Sequence, residues 1–290
     1  MATSEAALSN QLRKHAAVLP TRAPRRLDKF FIAGVAIALG ATFLGIRSSG
    51  ISIGYFLQPS GAVVVLGGTL GVILVTTPPR NLMHSLRRVT DLIAAVEVDR
   101  EALIEEIIGY ARTARRSGIL SLEPIAPKAS DPLLRSALQL AVDVSNREEL
   151  QTVLEAELRM AERQGEADAK TLEVAGGFAP TLGIIGTVIG LIEVLRQFSN
   201  PQAVGYGIGT AFVSTIYGLA LANLLLLPAA HRIRARVAEN FETQELILDG
   251  VLSIVDMLHP ALIRMRLASF LREPRSVTVA PGAAFYETKA

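Results

Sequence analysis

Four stretches of this 290-residue chain are predominantly apolar over membrane-compatible lengths: Phe30 to Ile46, Gly61 to Thr77, Val174 to about Leu195, and about Ala203 to Ala230. A helix rises about 1.5 Å per residue and the hydrocarbon layer is roughly 30 Å thick, so each stretch reaches or nears a full crossing. Elsewhere the pattern is amphipathic. Leu103, Ile104, Ile107, Ile108 and Ala111 fall on one face of a helix over Asp99 to Arg112. Asp131-Pro132 opens a second helix, with Leu133, Leu134, Ala137, Leu138 and Ala141 on one side. Asn146 with Glu149 resembles a capping box and opens a third, carrying Leu150, Val153, Leu154, Leu158 and Ala161. Beyond Pro228, Leu246, Ile247, Val251, Ile254, Val255 and Leu258 recur at helical spacing until His259-Pro260, and Ala261 to Leu271 predicts one more short helix.

The pattern predicts an all-α integral membrane protein: four transmembrane helices, with an all-helical cytoplasmic domain formed by the loop between spans two and three and the C-terminal tail. The expected divisions are a basic arm over 1–28, spans one and two over 29–78, the large loop over 79–173, spans three and four over 174–230, and C-terminal helices with a loose tail over 231–290. The tail from Arg272 onward is rich in Pro, Ser, Gly and Thr.

Composition agrees with a membrane assignment: half of the residues are hydrophobic and the mean hydropathy is +0.38. Net charge is only +2, but its distribution sets a topology. Arg13, Lys14, Arg22, Arg25, Arg26 and Lys29 precede the first span, and Arg80, Arg87 and Arg88 follow the second. The first hairpin carries only Arg47, and the connection between spans three and four carries Arg196 at its edge. Cytoplasmic flanks are enriched in Lys and Arg, so both termini and the large loop are expected in the cytoplasm, and the basic arm is placed to touch anionic lipid. The excess positive charge lies beside the membrane rather than on an aromatic patch suited to nucleic acid, so no nucleic-acid partner is expected. The apolar run starts too late for the arm to be a cleaved targeting signal.

Conventional catalysis finds little support. There is no cysteine, and His15, His84, His231 and His259 are scattered without a metalloprotease or nucleophile motif. Gly67-Gly68-Thr69 lacks the lysine of a P-loop, and Gly205-Tyr206-Gly207-Ile208-Gly209 precedes a membrane span rather than following a strand. The expectation is a non-enzyme with no metal and no cofactor.

What chemistry remains lies within spans three and four. Gly176, Gly183 and Gly190 recur every seven residues, which places small side chains along one face for close helix approach. Thr187 lies thirteen residues after Val174, and Thr215 lies thirteen before Pro228. Both hydroxyls therefore sit about 20 Å from the cytoplasmic boundary, at matching depth. Two readings are open: each hydroxyl bonds its own helix backbone, or the pair lines a path for ions. Pro180 and Pro228 each remove an N–H donor, giving either a packing kink or a hinge. No Asp or Glu lies at mid-depth in any span, so an ion path through this chain requires a partner to supply the carboxylate.

The run Gly176-Gly177-Phe178-Ala179-Pro180-Thr181-Leu182-Gly183-Ile184-Ile185-Gly186-Thr187-Val188-Ile189-Gly190-Leu191-Ile192, with Ser214-Thr215-Ile216-Tyr217-Gly218-Leu219-Ala220-Leu221-Ala222-Asn223 and Leu227-Pro228, resembles the MotA/PomA flagellar stator family within the MotA/TolQ/ExbB group. Gln58-Pro59-Ser60 before Val65-Leu66-Gly67-Gly68-Thr69 resembles the second span of that family. The resemblance implies a homo-pentamer in the bacterial inner membrane around a MotB-like single-span partner. The partner's transmembrane Asp carries H+ or Na+, and ion flow drives torque on the rotor protein FliG. It implies that Thr215, Thr187 and the neighbouring Ser214 line the ion path and that Pro180 and Pro228 form the hinge. In Arg115-Arg116-Ser117-Gly118-Ile119-Leu120-Ser121-Leu122-Glu123, it implies a rotor contact through Arg115 or Arg116 and Glu123. Thr187 leans towards the sodium-driven members, and the basic arm departs from the family. The rivals are an ExbB/TolQ-like or other non-flagellar ion-driven subunit, and a passive membrane scaffold. Four spans favour the stator, because ExbB/TolQ relatives usually have three.

Overall fold

A computed structural model describes residues 26–27, 29–50, 53–92, 94–95, 98–144 and 146–271. Apart from Arg26 and Leu27, the basic arm lies outside the described residues, as does the tail from Arg272. Four helices are long and apolar enough to cross a membrane. They are α1 (Lys29–Ser48), α2 (Pro59–Thr76), α6 (Arg147–Arg196) and α7 (Pro201–Val255). Between α2 and α6 lie α3 (Pro79–Leu92), α4 (Arg100–Ser117) and α5 (Pro132–Asp143), and α8 (Pro260–Leu267) follows α7. The all-α expectation needs one correction. Arg26–Leu27 and Ala94–Ala95 pair as two-residue antiparallel strands, Arg26 opposite Ala95, so the fold is nearly rather than wholly helical.

The helix starts follow local chemistry. Asp131 accepts bonds from the N–H groups of Leu133 (2.7 Å) and Leu134 (3.1 Å), with Pro132 in the first turn. Asp99 caps α4 through Ala102 N–H, and Asn200 caps α7 through Gln202 and Ala203 N–H. Each cap satisfies donors that the first helical turn leaves unpaired. Asn146 accepts from Glu148 N–H at the start of α6.

α6 is a single 50-residue helix, about 75 Å long at 1.5 Å per residue. It fuses the helix read from Asn146 with the third span. No proline interrupts 162–173, and the lone Gly165 costs a helix only about 1 kcal/mol. Two π-helical turns interrupt otherwise α-helical spans, Val63–Gly67 in α2 and Leu221–Leu226 in α7. The second runs directly into Leu227-Pro228, where a missing N–H would break the regular ladder.

The chain divides into two compact units. One comprises the described residues up to Val98 with Thr152–Gln244, and holds α1, α2, α3 and most of α6 and α7. Its buried apolar cluster is Leu92, Ala169, Leu172, Ala229, Ala230, Ile233 and Val237, with Phe31, Val89 and Leu226 packed against it. Ile37, Phe43 and Leu44 of α1 and Val63 and Val75 of α2 point outward, as apolar side chains bordered by lipid or a partner do.

The other unit comprises Asp99–Gln151 and the described residues from Glu245. Ile107, Ile108, Leu122, Leu134, Leu138, Leu150, Leu246, Ile247, Ile254 and Ile263 are its largest buried side chains. Gly250 lets α7 approach α4, since a Cβ there would lie 2.9 Å from Ile107 Cγ2. Arg147–Asp256 (2.9 Å), Arg264–Glu105 and Arg266–Asp249 ion pairs join its elements. Glu106 accepts from Ser130 N–H (3.0 Å) and Tyr110 OH (3.2 Å), and burial, with the Glu106 charge, pushes the Tyr110 phenol up to about 12.

Candidate ion path between the third and fourth spans

Close approach of α6 and α7 builds the site. A Cβ at Gly190 would lie 2.8 Å from Ala211 N and 2.9 Å from Gly207 O. One at Gly183 would lie 3.0 Å from Ser214 O and 3.2 Å from Thr215 Cα. Gly176 meets Leu227, and Gly218 and Gly207 return the contact from the α7 side, against Ala179 O and Gly190 O. Backbone therefore touches backbone along the seam, a contact that only hydrogen side chains permit.

That seam brings Thr187 and Thr215 together. Their Oγ1 atoms are 2.5 Å apart, and Thr187 Oγ1 also lies 3.0 Å from Ala211 O across the seam and 3.1 Å from Gly183 O in its own helix. Thr187 is thus bonded both to the backbone of its own helix and across the seam to α7. A hydroxyl carries one proton and two lone pairs, so a pair sharing short contacts keeps acceptor capacity for a cation or for water. Both threonines are half-buried. Among the described residues, no group of three or more His, Cys, Asp or Glu is placed to hold a metal ion.

Ser214 faces elsewhere. It is fully buried, donates to Thr210 O (2.8 Å) and packs against Gly61 of α2 and Gly186 of α6. The structure does not bring it into the threonine pair. Pro180 lies inside the unbroken α6, and Pro228 follows the π turn of α7.

The MotA/TolQ/ExbB proton channel family matches residues 126–245, which contain both spans of this seam. Motility protein A of Bacillus subtilis is 28% identical over 250 residues, covering 84% of this chain and 91% of that protein. Chemotaxis protein PomA of Vibrio alginolyticus is 27% identical over 242 residues, covering 83% and 93%. A chain of the C. jejuni MotAB structure superposes with a TM-score of 0.80 at 25% identity, covering 85% of this chain and 97% of that one. The chain is thus similar to the MotA/TolQ/ExbB proton channel family over 126–245 and to motility protein A and a MotAB chain over most of its length. It is a membrane protein with the fold of a MotAB component.

A polar layer lies beyond the prolines, before Pro180 in α6 and after Pro228 in α7. Arg234 of α7 donates to Glu166 (3.1 Å) and Glu173 (2.7 Å) of α6. The Arg234 hydrogen bond holds the Glu173 carboxyl below the ordinary carboxylate range, aided by the Arg234, Lys170 and His231 charges, and the Arg234 guanidinium is raised in turn. Asp168, fully buried, takes Gln164 Nε2 at 3.1 Å and Arg88 Nε at 3.5 Å, and Arg236 caps the end of α3 through Asp91 O and Leu92 O. Sequence reading missed this layer. Arg234, which belongs to no motif and lies 61 residues from Glu173, could have been found only from the opposed helical registers of α6 and α7. Arg115, Arg116 and Glu123 are all exposed, on α4 and just after the Ile119–Leu122 turn.

Proposed function

We propose that this chain is the ion-conducting stator subunit of a bacterial flagellar motor, coupling proton or sodium flow across the inner membrane to torque on a rotor. The observation that carries the reading is the Thr187–Thr215 pair held at one depth by a glycine seam, with no carboxylate of its own beside it. A partner must bring the acid that loads and releases the ion, and a MotB-like single-span protein with a transmembrane Asp fits that need. Thr187 and Thr215 then line the path, with Ser214 bracing the helices that hold them. No cofactor is needed beyond the transported H+ or Na+.

The same reading places both termini in the cytoplasm and assembles the chain as a homo-pentamer around its partner. The loop and tail helices form the cytoplasmic domain, Pro180 and Pro228 flex with ion occupancy, and Arg115 or Arg116 with Glu123 engages FliG. Their exposure supports a contact role. Pro180→Leu and Thr215→Ala are expected to abolish swimming at normal membrane levels, and normal swimming in both would defeat the assignment. Swimming speed that follows external sodium at fixed pH identifies sodium as the ion; speed that follows pH alone identifies the proton.

A further inference from the structure

A second polar cluster lies on the outer side of the threonine pair, and none of its side chains has been given a role above. Gln58 ends the connection between the first two spans and immediately precedes Pro59 at the start of α2. Its position is that of a helix cap, yet its side chain makes no capping bond. It turns instead to α7. Gln58 Oε1 lies 3.0 Å from Thr210 Oγ1, and Nε2 lies 3.4 Å from Tyr55 O. The Gln58 N–H donates to the Tyr217 phenol (3.2 Å), and the phenol donates to Phe56 O. Gln58 is 6% exposed and Thr210 7%.

The depth of this cluster follows from its neighbours. Gly61 packs on Ser214, the residue beside Thr215. Gln58 is one turn before Gly61 and Thr210 one turn before Ser214, and both helices run inward from their N-terminal ends. The Gln58–Thr210 contact therefore sits about one helical turn, roughly 5 Å, outside the threonine pair. At that depth an unpaired amide or hydroxyl is costly, so the mutual bonding fixes the connection against α7. Thr210 is also one turn from Tyr206, whose carbonyl competes for its single proton at 3.1 Å. Gln58 Oε1, at 3.0 Å, shares that proton with the Tyr206 carbonyl.

We propose that Gln58 is a positioning residue of the ion path: through Thr210 and the Tyr217 phenol, it locks the connection between spans one and two onto α7 and sets the register of α7 at the threonine pair. This inference rests on the stator reading, since it concerns the outer boundary of the same path. Gln58 does not touch the ion in this account. Its effect reaches Thr215 through the rigid turn of α7 between Thr210 and Thr215, and through Ser214 wedged against Gly61 and Gly186.

The test uses the full chain expressed with its natural partner, with membrane levels read by immunoblot and swimming speed measured against the external concentration of the driving ion. Gln58→Leu and Thr210→Val each remove one side of the contact at similar volume, Thr210→Ser keeps the hydroxyl, and Thr215→Ala controls for the path itself. Loss of one hydrogen bond from the lock is expected to raise the half-saturating ion concentration about fivefold. The double variant Gln58→Leu/Thr210→Val should rise no further than either single, and Thr210→Ser should stay near the parental value. If Gln58→Leu fails to accumulate, the Thr210→Val and Thr210→Ser comparison carries the same decision. Parental ion dependence in Gln58→Leu and Thr210→Val, while Thr215→Ala is immotile, overturns the lock and leaves the path standing. Normal swimming in Thr215→Ala overturns the path reading, and the lock with it.

Discussion

Gly190→Ala adds a single methyl group at a point of the seam where every neighbouring atom is backbone. The added Cβ would lie 2.8 Å from Ala211 N, 2.9 Å from Ala211 Cα and 2.9 Å from Gly207 O, whereas ordinary contact begins near 3.4 Å. All three atoms are backbone, so no side chain can swing aside. The helices must separate by about 0.6 Å at this point, and overpacking of this kind costs roughly 1–3 kcal/mol. Rigid backbone on the far side argues for the upper end, about 3 kcal/mol, offset by about 1 kcal/mol because alanine favours a helix over glycine. The net expectation is about 2 kcal/mol of destabilisation.

Ala211 O also accepts from Thr187, so the displacement strikes the site as well as the packing. The control is Gly109→Ala in α4, where an added Cβ meets nothing within 4 Å and helix propensity alone acts. Thermal unfolding of the purified complex should show Gly190→Ala less stable than the parent and Gly109→Ala equal or more stable. Swimming should fall for the first only, at matched membrane levels. Equal stability of the two variants would refute the account of the seam as backbone contact.

Two further outcomes follow. Glu123→Lys should impair torque and be partly rescued by a reversed charge on the rotor, measured as a double-mutant cycle on swimming speed; no effect of the reversal alone counts against the contact. Arg234→Gln should remove the pairing that lowers the Glu173 carboxyl from its ordinary 4.5. A carboxyl depressed in the folded state stabilises above its unfolded value and loses that contribution as pH falls through the folded one. The difference in thermal midpoint between parent and variant should thus be constant at neutral pH and close below about 4.5, and a gap independent of pH would contradict the pairing.

Much of this was legible from residue spacing. The four spans, the helix starts at Asp99 and Asp131, and the equal depth of Thr187 and Thr215 follow from apolar run lengths, capping chemistry and a fixed rise per residue. The glycine period of seven named the seam before any partner surface was known. Other features depend on pairings between distant segments, which periodicity does not encode. Nothing around Asn146 or Val174 announced that an amphipathic helix and a span are one continuous α6, because the absence of a breaker is a weak signal. The π turn before Pro228 is a response of the backbone to a lost donor, and several local geometries answer that loss equally well. Ser214 stood beside Thr215 in the motif, yet adjacent helix positions point about 100° apart, and the structure turns it into the packing with α2. Gln58 stood in the sequence only as part of the resemblance to a second span, and its bond to Thr210 joins positions 152 residues apart.

The most direct test of the central claim is ion flux into membrane vesicles that contain this chain with its single-span partner, compared between the parental protein and Thr215→Ala at equal amounts. A paired threonine site that depends on a partner carboxylate predicts flux in the parental complex, loss of flux in Thr215→Ala, and none from the chain without its partner. Undiminished flux in Thr215→Ala, or flux from this chain alone, would contradict it.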